Sequence, residues 1–236
     1  GFVPTMGALH EGHLSLLKDS LSENDVTVMS IFVNPTQFNN AEDLDKYPRT
    51  LERDVQIMQD LSNNIIVYAP EVADIYEGNT ISESFNYDGL ENQMEGKHRP
   101  GHFDGVGTIV KRLFEIVQPN KAYFGEKDFQ QLQIVKKLVS KYNIPVDVIG
   151  CPIHREANGL AMSSRNERLS ESAREKAAII YQILNSAKEI FQTNSAEETT
   201  TFVENEFEKH PEVQLEYFEI ADEATLLPVS EKESEK

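Results

Sequence analysis

The stretch Gly1–His13, which reads GFVPTMGALHEGH, decides the fold and the position of the site. An apolar run at Phe2–Val3 turns at Met6–Gly7, and two histidines, His10 and His13, follow three residues apart. A strand that leads directly into a helix explains this pattern, and residues three apart lie on one helix face. The amino end of a helix attracts anions, so the stretch suits a polyphosphate. The alternative is a pair of surface histidines without a function.

Strand-like and helix-like segments alternate after this stretch. Nearly continuous apolar, β-branched runs predict further strands at residues 25–33, 64–68, 121–124 and 145–150. Apolar residues at helical spacing predict helices at residues 10–22, 50–61, 106–117 and 126–142. Thr50 is a candidate N-cap. This alternation predicts an α/β fold with a doubly wound parallel sheet, and residues 71–96 are assigned a strand or two with loops.

The pattern changes after Leu169. Ser170 or Ser172 would cap a helix, the latter in a capping box with Glu175. A weaker helix follows, and residues 213–220, VQLEYFEI, alternate like a strand. We therefore predict a first domain at residues 1–153 and a small C-terminal α/β domain at residues 154–236, of which residues 230–236 form a disordered end.

Composition limits the partners and the compartment. The formal net charge is −18, and residues 197–236 contain 13 acids and three lysines. Nucleic acids and anionic membrane surfaces require a basic face, so neither is an expected partner. Cys151 is the single cysteine, and neither a signal peptide nor an apolar run long enough to span a bilayer is present. We expect a cytoplasmic protein with Cys151 in its core.

The unusual polar clusters all follow predicted strands. They are MGALHEGH after the first strand, NPTQF after the second, GEKD after the strand at Lys121, and MSSRN after the last. The carboxyl ends of parallel strands meet at one edge of the sheet, where doubly wound folds bind ligands. The sequence therefore predicts one site built from these four loops.

Two cations in these loops suit phosphate groups. Lys127 and Arg165 could neutralise phosphate charge, and Ser163 and Ser164 add hydroxyl donors beside the guanidinium. Cations placed where charge develops on a leaving pyrophosphate would lower the barrier. Solvated surface charge is the alternative for both.

Uncharged side chains suggest a second part of the site. Gln37 and Gln131 both donate and accept hydrogen bonds, which suits a small acid that carries hydroxyl groups. Asp128 could hold a ribose hydroxyl or Mg²⁺, or could only cap its helix. His98 and His102 have metal-ligand spacing, but no third ligand is evident, which disfavours a zinc site.

These motifs together resemble the pantothenate synthetase (pantoate–β-alanine ligase) family. VPTMGALHEGH, FVNPTQF, RPGHFDGV, YFGEKDFQQL and REANGLAMSSRN stand in that family's order between Gly1 and about Leu169. H-x-G-H alone is shared with nucleotidylyltransferases in general, whereas the five motifs together are specific. The resemblance implies a Rossmann-like nucleotide-binding domain, a small C-terminal lid domain and a homodimer.

The resemblance also implies a reaction. ATP and pantoate would form pantoyl adenylate and pyrophosphate, and the β-alanine amine would then displace AMP, with Mg²⁺ accompanying ATP. By matching motif, the ATP site would consist of Met6, Gly7, Ala8, Leu9, His10, Glu11, Gly12, His13, Gly125, Glu126, Lys127, Asp128, His154, Met162, Ser163, Ser164 and Arg165. His13 would be the acid catalyst, and the other catalytic residues would be His10, Lys127 and Arg165. Gln37 and Gln131 would bind pantoate, and Gln37 would also meet β-alanine; no motif fixes the metal ligands.

The chain departs from the family in several places. His154 stands where an apolar residue that contacts the nucleotide is usual, and Asn158 stands where Asp is common. Family members generally carry a helical segment before Gly1 and more strand sequence after the region of Leu227, so we expect an incomplete lid. Two alternatives are a nucleotidylyltransferase, which would need further cations for a phosphorylated acceptor, and a nucleotide-binding protein without turnover.

Overall fold

A five-stranded parallel sheet forms the centre of the computed structural model, which describes residues 1–229. Its strands are β1 (Phe2–Thr5), β2 (Thr27–Ile31), β3 (Ile65–Tyr68), β4 (Lys121–Gly125) and β5 (Asp147–Cys151). They lie in the order β3–β2–β1–β4–β5, and every neighbouring pair is parallel. The predicted α/β fold with a parallel sheet is confirmed.

The strand order reverses beside β1. The chain runs from β1 outward through β2 and β3, and then returns to place β4 and β5 on the other side of β1. Phe2 pairs with Val28 on one side and with Ala122 on the other. A reversal of this kind leaves a crevice at the carboxyl ends of the two strands that flank it, here β1 and β4.

Helices cover the sheet and connect its strands. They are α1 (Glu11–Glu23), α2 (Ala41–Asp45), α3 (Leu51–Leu61), α4 (Val72–Tyr76), α5 (Glu95–His98), α6 (His102–Val117), α7 (Phe129–Lys141), α8 (Glu171–Ala177), α9 (Ile179–Ile190) and α10 (Ala196–Glu208). The helices predicted after β1, β2, β3 and β4 correspond to α1, α3, α6 and α7, and their ends differ from the predictions by up to four residues.

Several local predictions were wrong. Residues 71–96 form short helices and turns, and residues 213–220 form no strand within the described chain. Other local predictions are confirmed in position. Thr50 is the N-cap residue of α3, although its hydroxyl makes no cap bond to the backbone and instead donates to Asp54 Oδ1 at 3.1 Å. Of the two candidate caps of α8, Ser170 is the N-cap residue, and its hydroxyl accepts from the Ala173 N–H at 3.2 Å.

An apolar core lies against the sheet beneath α1 and α3. Its buried members are Val3, Leu9, Leu16, Leu17, Met29, Met58, Tyr123 and Cys151. Removal of this surface from water stabilises the layer, at roughly 25 cal/mol per Å². Cys151 is 3% exposed, as predicted for a core residue, and burial raises the pKa of its thiol to about 12.

The chain divides into two compact units. The first contains Gly1–His154 and Met162–Arg165, and the second contains Arg155–Ala161 and the chain from Asn166 onward. The sequence-based division after residue 153 had assigned Met162–Arg165 to the second domain, whereas they belong to the first unit.

The second unit has an apolar core of its own, between α9 and α10. Its buried residues are Ile183, Ala187, Val203 and Phe207. Within residues 1–229, no helix is both long enough and apolar enough to cross a bilayer. The disordered end predicted for residues 230–236 lies outside the described residues.

Candidate active site

A buried carboxylate holds the loop between β1 and α1. Asp54 of α3 is fully buried and accepts hydrogen bonds from the backbone N–H groups of Ala8 and Leu9, both at 2.9 Å. Ala8 has a positive φ of 52°, a conformation that non-glycine residues seldom adopt. Asp54 therefore fixes the backbone immediately before the two histidines.

Gly7 is required in the same loop for two reasons. Its φ is +81°, and a Cβ atom there would lie 2.9 Å from Ile31 Cγ2 and 3.0 Å from Asp54 Oδ2. Any larger residue would therefore strain the backbone and push against β2 and α3.

His10 and His13 cap α1 with their side chains. His10 Nδ1 accepts from the Gly12 N–H at 3.1 Å, and His13 Nδ1 accepts from the His10 N–H at 3.3 Å. The ring centroids are 4.0 Å apart. In a neutral imidazole one nitrogen accepts and the other donates, so each Nδ1 acceptor places the proton on Nε2. The two rings thus provide two Nε2–H donors.

His13 is neutral at physiological pH. Burial lowers its pKa to about 3, and nearby His10 and Lys127 add to the effect. Lys127 follows β4, and its effect on the pKa of His13 indicates that the GEKD loop lies close to the loop between β1 and α1, which we call the histidine loop. This proximity agrees with the prediction that the two loops lie at the same edge of the sheet.

Residues 162–165 lie against the same loop. The Ser164 hydroxyl is buried and donates to the backbone carbonyls of Ala8 at 3.0 Å and Gly7 at 3.4 Å. The Met162 N–H donates to the His154 carbonyl at 3.1 Å. His154 packs beside Gly12, where a Cβ atom would lie 3.6 Å from the His154 Cβ. The last predicted motif therefore joins the first.

Arg165 is engaged by an acidic side chain. Its Nη2 donates to Asp43 Oδ2 at 2.8 Å and its Nε to Asp43 Oδ1 at 3.4 Å, and its guanidinium lies 5.3 Å from the centre of the Tyr47 ring. The hydrogen bonds to Asp43 raise the pKa of Arg165 further. A phosphate would have to compete with Asp43 for this cation.

The remaining GEKD side chains lie at the surface. Lys127 Nζ is 3.7 Å from Asp128 Oδ1, and Asp128 makes no cap bond to α7, although it occupies the N-cap position. Burial raises the pKa of Tyr47 and the hydrogen bonds to Asp43 raise that of Arg165; the Asp128 charge adds a smaller effect to both, which places all three groups near one another. Glu126 is also exposed.

The Gln37 amide is oriented by its neighbours. Asn34 is buried, and its Nδ2 donates to the Gly105 carbonyl at 3.1 Å and to Gln37 Oε1 at 3.2 Å. Gln37 Nε2 therefore points the other way and lies 3.2 Å from Met6 Sδ. The amide presents its N–H₂ end toward the histidine loop, as a donor.

Two adjacent glutamines in α7 behave differently. Gln130 is buried, donates to the carbonyls of Leu90 and Gln93, and accepts from the Glu95 N–H. Gln131 is partly exposed, and its side-chain amide makes no hydrogen bond within the described residues. Gln130 is thus occupied as a structural anchor, and Gln131 has an amide available for a ligand.

Sequence reasoning missed several residues around the site. Asp54, Asn34, Tyr47 and Asp43 each contact or orient a predicted site residue. A signal existed for Asp54, because it lies on the apolar face of its helix, four residues before Met58. A carboxylate on that face is expected to have a specific partner.

Comparison with known proteins identifies the family. The family model described as pantoate-beta-alanine ligase matches residues 1–236. The chain belongs to the pantoate-beta-alanine ligase family. A pantothenate synthetase from Flavobacterium psychrophilum is 66% identical over 236 residues, which cover 100% of this chain and 84% of that relative. A relative of the same name from Thermosipho africanus is 46% identical and covers 97% of this chain and 82% of its own length.

Solved structures of the ligase family also match. The crystal structure of pantothenate synthetase from Thermus thermophilus is 44% identical with a TM-score of 0.92, and the match covers 98% of this chain and 84% of that one. A pantoate-beta-alanine ligase from Francisella tularensis, complexed with beta-gamma ATP and beta-alanine, is 43% identical with a TM-score of 0.75. That match covers 86% of this chain and 76% of the other.

Proposed function

We propose that the protein is an ATP-dependent ligase that joins pantoate and β-alanine to give pantothenate. A carboxylate oxygen of pantoate would attack the α-phosphorus of ATP, which forms pantoyl adenylate and releases pyrophosphate. The β-alanine amine would then attack the acyl carbon, lose a proton and release AMP. The family match along the whole chain carries this proposal, and the proximity of the polar loops beside β1 and β4 supports it.

The histidines would stabilise the leaving pyrophosphate as neutral donors. Negative charge accumulates on this group in the transition state, and fixed N–H donors aimed at it lower the barrier. We assign that role to the Nε2–H groups of His10 and His13. Carboxylate attack on phosphorus removes no proton, so neutral imidazoles are sufficient. The sequence-based hypothesis of His13 as an acid catalyst is revised accordingly, because a pKa of about 3 leaves it without a second proton at neutral pH.

The two cations would neutralise the phosphates from different loops. Lys127 is near enough to His13 to affect its pKa, so it would share the same phosphate group. Arg165 would exchange its bonds to Asp43 for bonds to a phosphate, because a guanidinium binds a phosphate through the same two-pronged geometry as a carboxylate.

The amides would bind the acid. Gln37 presents an N–H₂ donor that suits a carboxylate or hydroxyl oxygen of pantoate, and later an oxygen of β-alanine. Gln131, whose amide makes no bond within residues 1–229, would complete the pantoate site with either a donor or an acceptor.

Mg²⁺ would enter with the nucleotide. Among the described residues, no group of three His, Cys, Asp or Glu side chains is arranged to hold a metal ion. Mg²⁺ often binds through substrate phosphates, water and one or two carboxylates, and Asp128 is the candidate carboxylate here. When bound, the ion would neutralise phosphate charge.

Three further parts of the proposal rest on the sequence and not on the geometry of the site. They are a homodimer and a lid function for the second unit, which the resemblance implies, and a cytoplasmic location, which the single cysteine of the sequence also favours. Light scattering of the purified chain would give twice the monomer mass if the dimer forms.

A stepwise assay tests the reaction. The protein is incubated with ATP, Mg²⁺ and pantoate, and pyrophosphate and AMP are followed with and without β-alanine. We expect pyrophosphate to depend on pantoate and AMP release to depend on β-alanine. Lys127→Met should slow the first step by about tenfold or more, since it removes a charge that stabilises the transition state. Lys136→Met, an exposed position in α7, is the matched control and should retain the wild-type rate.

The possible outcomes separate the alternatives. Absence of pantoate-dependent pyrophosphate would refute the ligase assignment. Pyrophosphate release with a phosphorylated acceptor instead of pantoate would indicate a nucleotidylyltransferase, and ATP binding without either product would indicate a nucleotide-binding protein without turnover.

A further inference from the structure

The motif RPGHFDGV has no role in the proposed chemistry, although the sequence marks it as unusual. It contains His102, which together with His98 had metal-ligand spacing. In the structure Arg99 is the C-cap residue that follows α5 and His102 begins α6, with Pro100–Gly101 between them. This segment contacts the turn Pro35–Gln37, which carries the proposed acid-binding residue Gln37.

His102 and Arg99 donate to the same backbone carbonyl. His102 is 7% exposed, and its Nδ1 lies 2.9 Å from the carbonyl oxygen of Gln37. A carbonyl oxygen only accepts, so His102 carries its proton on Nδ1 in this contact. Arg99 Nη2 donates to the same oxygen at 3.2 Å. Two side chains from one segment therefore hold one peptide group.

The turn that carries Gln37 is weakly held by its own hydrogen bonds. The Gln37 N–H reaches the Asn34 carbonyl at 3.5 Å, and the Phe38 N–H reaches the Pro35 carbonyl at 3.3 Å. Both distances lie beyond the usual 2.9–3.0 Å for such bonds. The position of this turn therefore depends on contacts from outside it.

The backbone of α6 packs directly against this turn. A Cβ atom on Gly105 would lie 2.6 Å from the Thr36 carbonyl oxygen and 2.9 Å from Gln37 Cα. The Gly105 carbonyl also accepts from Asn34 Nδ2, which in turn donates to Gln37 Oε1. The start of α6 thus holds the main chain of Gln37 through His102 and its side chain through Asn34.

We propose that His102 is a positioning residue for the acid substrate, and that it acts by anchoring the Gln37 peptide so that the Gln37 amide faces the site. Arg99 is the second, weaker anchor. This inference rests on the proposed function in one respect, namely that Gln37 binds the acid.

Two substitutions at His102 separate the hydrogen bond from the bulk of the ring. In His102→Asn the side-chain nitrogen occupies nearly the position of the histidine Nδ1 and can still donate to Gln37. In His102→Gln the nitrogen reaches instead toward the position of Nε2. We expect His102→Gln to raise the KM for pantoate by roughly five- to tenfold, the scale of one lost hydrogen bond, with the KM for ATP unchanged. His102→Asn should remain close to wild type.

Hydrogen exchange provides a readout that does not depend on the substrate. The backbone N–H groups of Gln37 and Phe38 should exchange faster in His102→Gln than in wild type or His102→Asn. A purely structural role would lower the melting temperature without this local change and without a selective rise in the KM for pantoate. Arg99→Ala, at a more exposed position, should show the same pattern with a smaller change of about two- to threefold.

The inference is overturned if His102→Asn is as impaired as His102→Gln, or if neither variant changes the KM for pantoate. If the His102 variants do not fold, Arg99→Ala decides in the same way, and an unchanged KM for pantoate in that variant counts against the anchor. If wild type does not use pantoate at all, the proposed function fails. The exchange rates of residues 37 and 38 then still show whether His102 anchors the turn.

Discussion

Asp54 offers the sharpest test of how the fold positions the histidine loop between β1 and α1. Its two carboxylate oxygens accept from two successive backbone N–H groups, those of Ala8 and Leu9, and one of them also accepts from Thr50. Asp54→Asn keeps the shape but replaces one oxygen with an N–H₂ group. One backbone N–H of the loop would then face another donor inside a fully buried site. An unsatisfied buried donor costs about 1–3 kcal/mol.

This cost translates into a measurable change in stability. For a chain of this size, 1 kcal/mol corresponds to roughly 2–4 °C in melting temperature, so we expect Asp54→Asn to lower it by about 3–10 °C. Asp60→Asn is the matched control, because Asp60 lies on the same helix but is exposed and, among the described residues, accepts a side-chain hydrogen bond from Gln56 Nε2. Its free energy of unfolding should change by less than about 0.5 kcal/mol.

The same substitution should affect ATP more than pantoate. Asp54 holds Ala8 at a positive φ, and release of this strained backbone would displace the adjacent His10. We expect the KM for ATP to rise by about tenfold, which corresponds to 1.4 kcal/mol. Urea unfolding and initial-rate kinetics on both variants provide the measurements. If the Asp54→Asn protein is as stable as Asp60→Asn, Asp54 does not hold the loop as proposed. A loss of stability with an unchanged KM for ATP would limit Asp54 to a role in folding.

Four other predictions follow from the structure. His13→Asn keeps an acceptor near the Nδ1 position but removes the Nε2–H, so the adenylation rate should fall on the order of 100-fold, the scale of one lost hydrogen-bond donor to the transition state, in a pyrophosphate-release assay. Burial lowers the pKa of folded His13 to about 3, below its ordinary value of 6.5, so the stability that His13 contributes should be complete above pH 6.5 and decrease on acidification toward pH 3. This single group adds at most about 1.4 kcal/mol per pH unit to the slope in unfolding titrations, and the slope should be weaker in His13→Asn. Asp43→Asn should release Arg165 and lower the KM for ATP by up to about fivefold, because an exposed ion pair contributes at most about 1 kcal/mol; a higher KM would contradict the competition between Asp43 and phosphate. Cys151 should resist thiol reagents in the native protein, and Cys151→Ala should keep the wild-type kcat; rapid labelling of the native chain would contradict its burial.

The sheet and the edge that carries the site could be predicted because parallel strands buried on both faces have a strong sequence pattern. The order of the strands then places the polar loops at one edge without further information. Short helices were harder to predict from the sequence. Helices of four or five residues, such as Val72–Tyr76 and Glu95–His98, are barely one turn long and leave no helical period to detect.

The alternating segment at residues 213–220 failed for a different reason. Val213 and Leu215 pack against the core of the second unit, as an alternating segment requires, but Phe218 packs there too, although a strand would place it on the opposite face. A strand also needs a partner with which to exchange backbone hydrogen bonds, and the pattern of one segment contains no information about a partner. Within the described chain, the nearby pairing is the isolated bridge between Ala221 and Pro228.

The site residues divide along the same line. Positions that follow strands could be found, whereas Asp54 and His102 act through contacts with residues distant in sequence. Gln130 and Gln131 show the limit most clearly. They are identical in type and adjacent in sequence, and only packing decides that one anchors residues 90–95 while the other retains an available amide.

The capping geometry of α1 gives a physical reason for the spacing of the H-x-G-H motif. The N–H groups of Ala8 and Leu9 bind Asp54, and those of His10 and Gly12 bind the two imidazoles, so these backbone donors are not left for a phosphate. The sequence had instead suggested that the amino end of α1 would itself bind the anion. In a capping box the N-cap and N3 side chains satisfy each other's backbone, which requires a spacing of three residues. The position between them favours glycine, because the Cβ atom of any other residue would lie only 2.9 Å from His10 Cε1. The cap consumes both Nδ1 atoms and so directs both protons to Nε2. The helix end thereby exchanges its backbone donors for side-chain donors that extend farther toward a ligand.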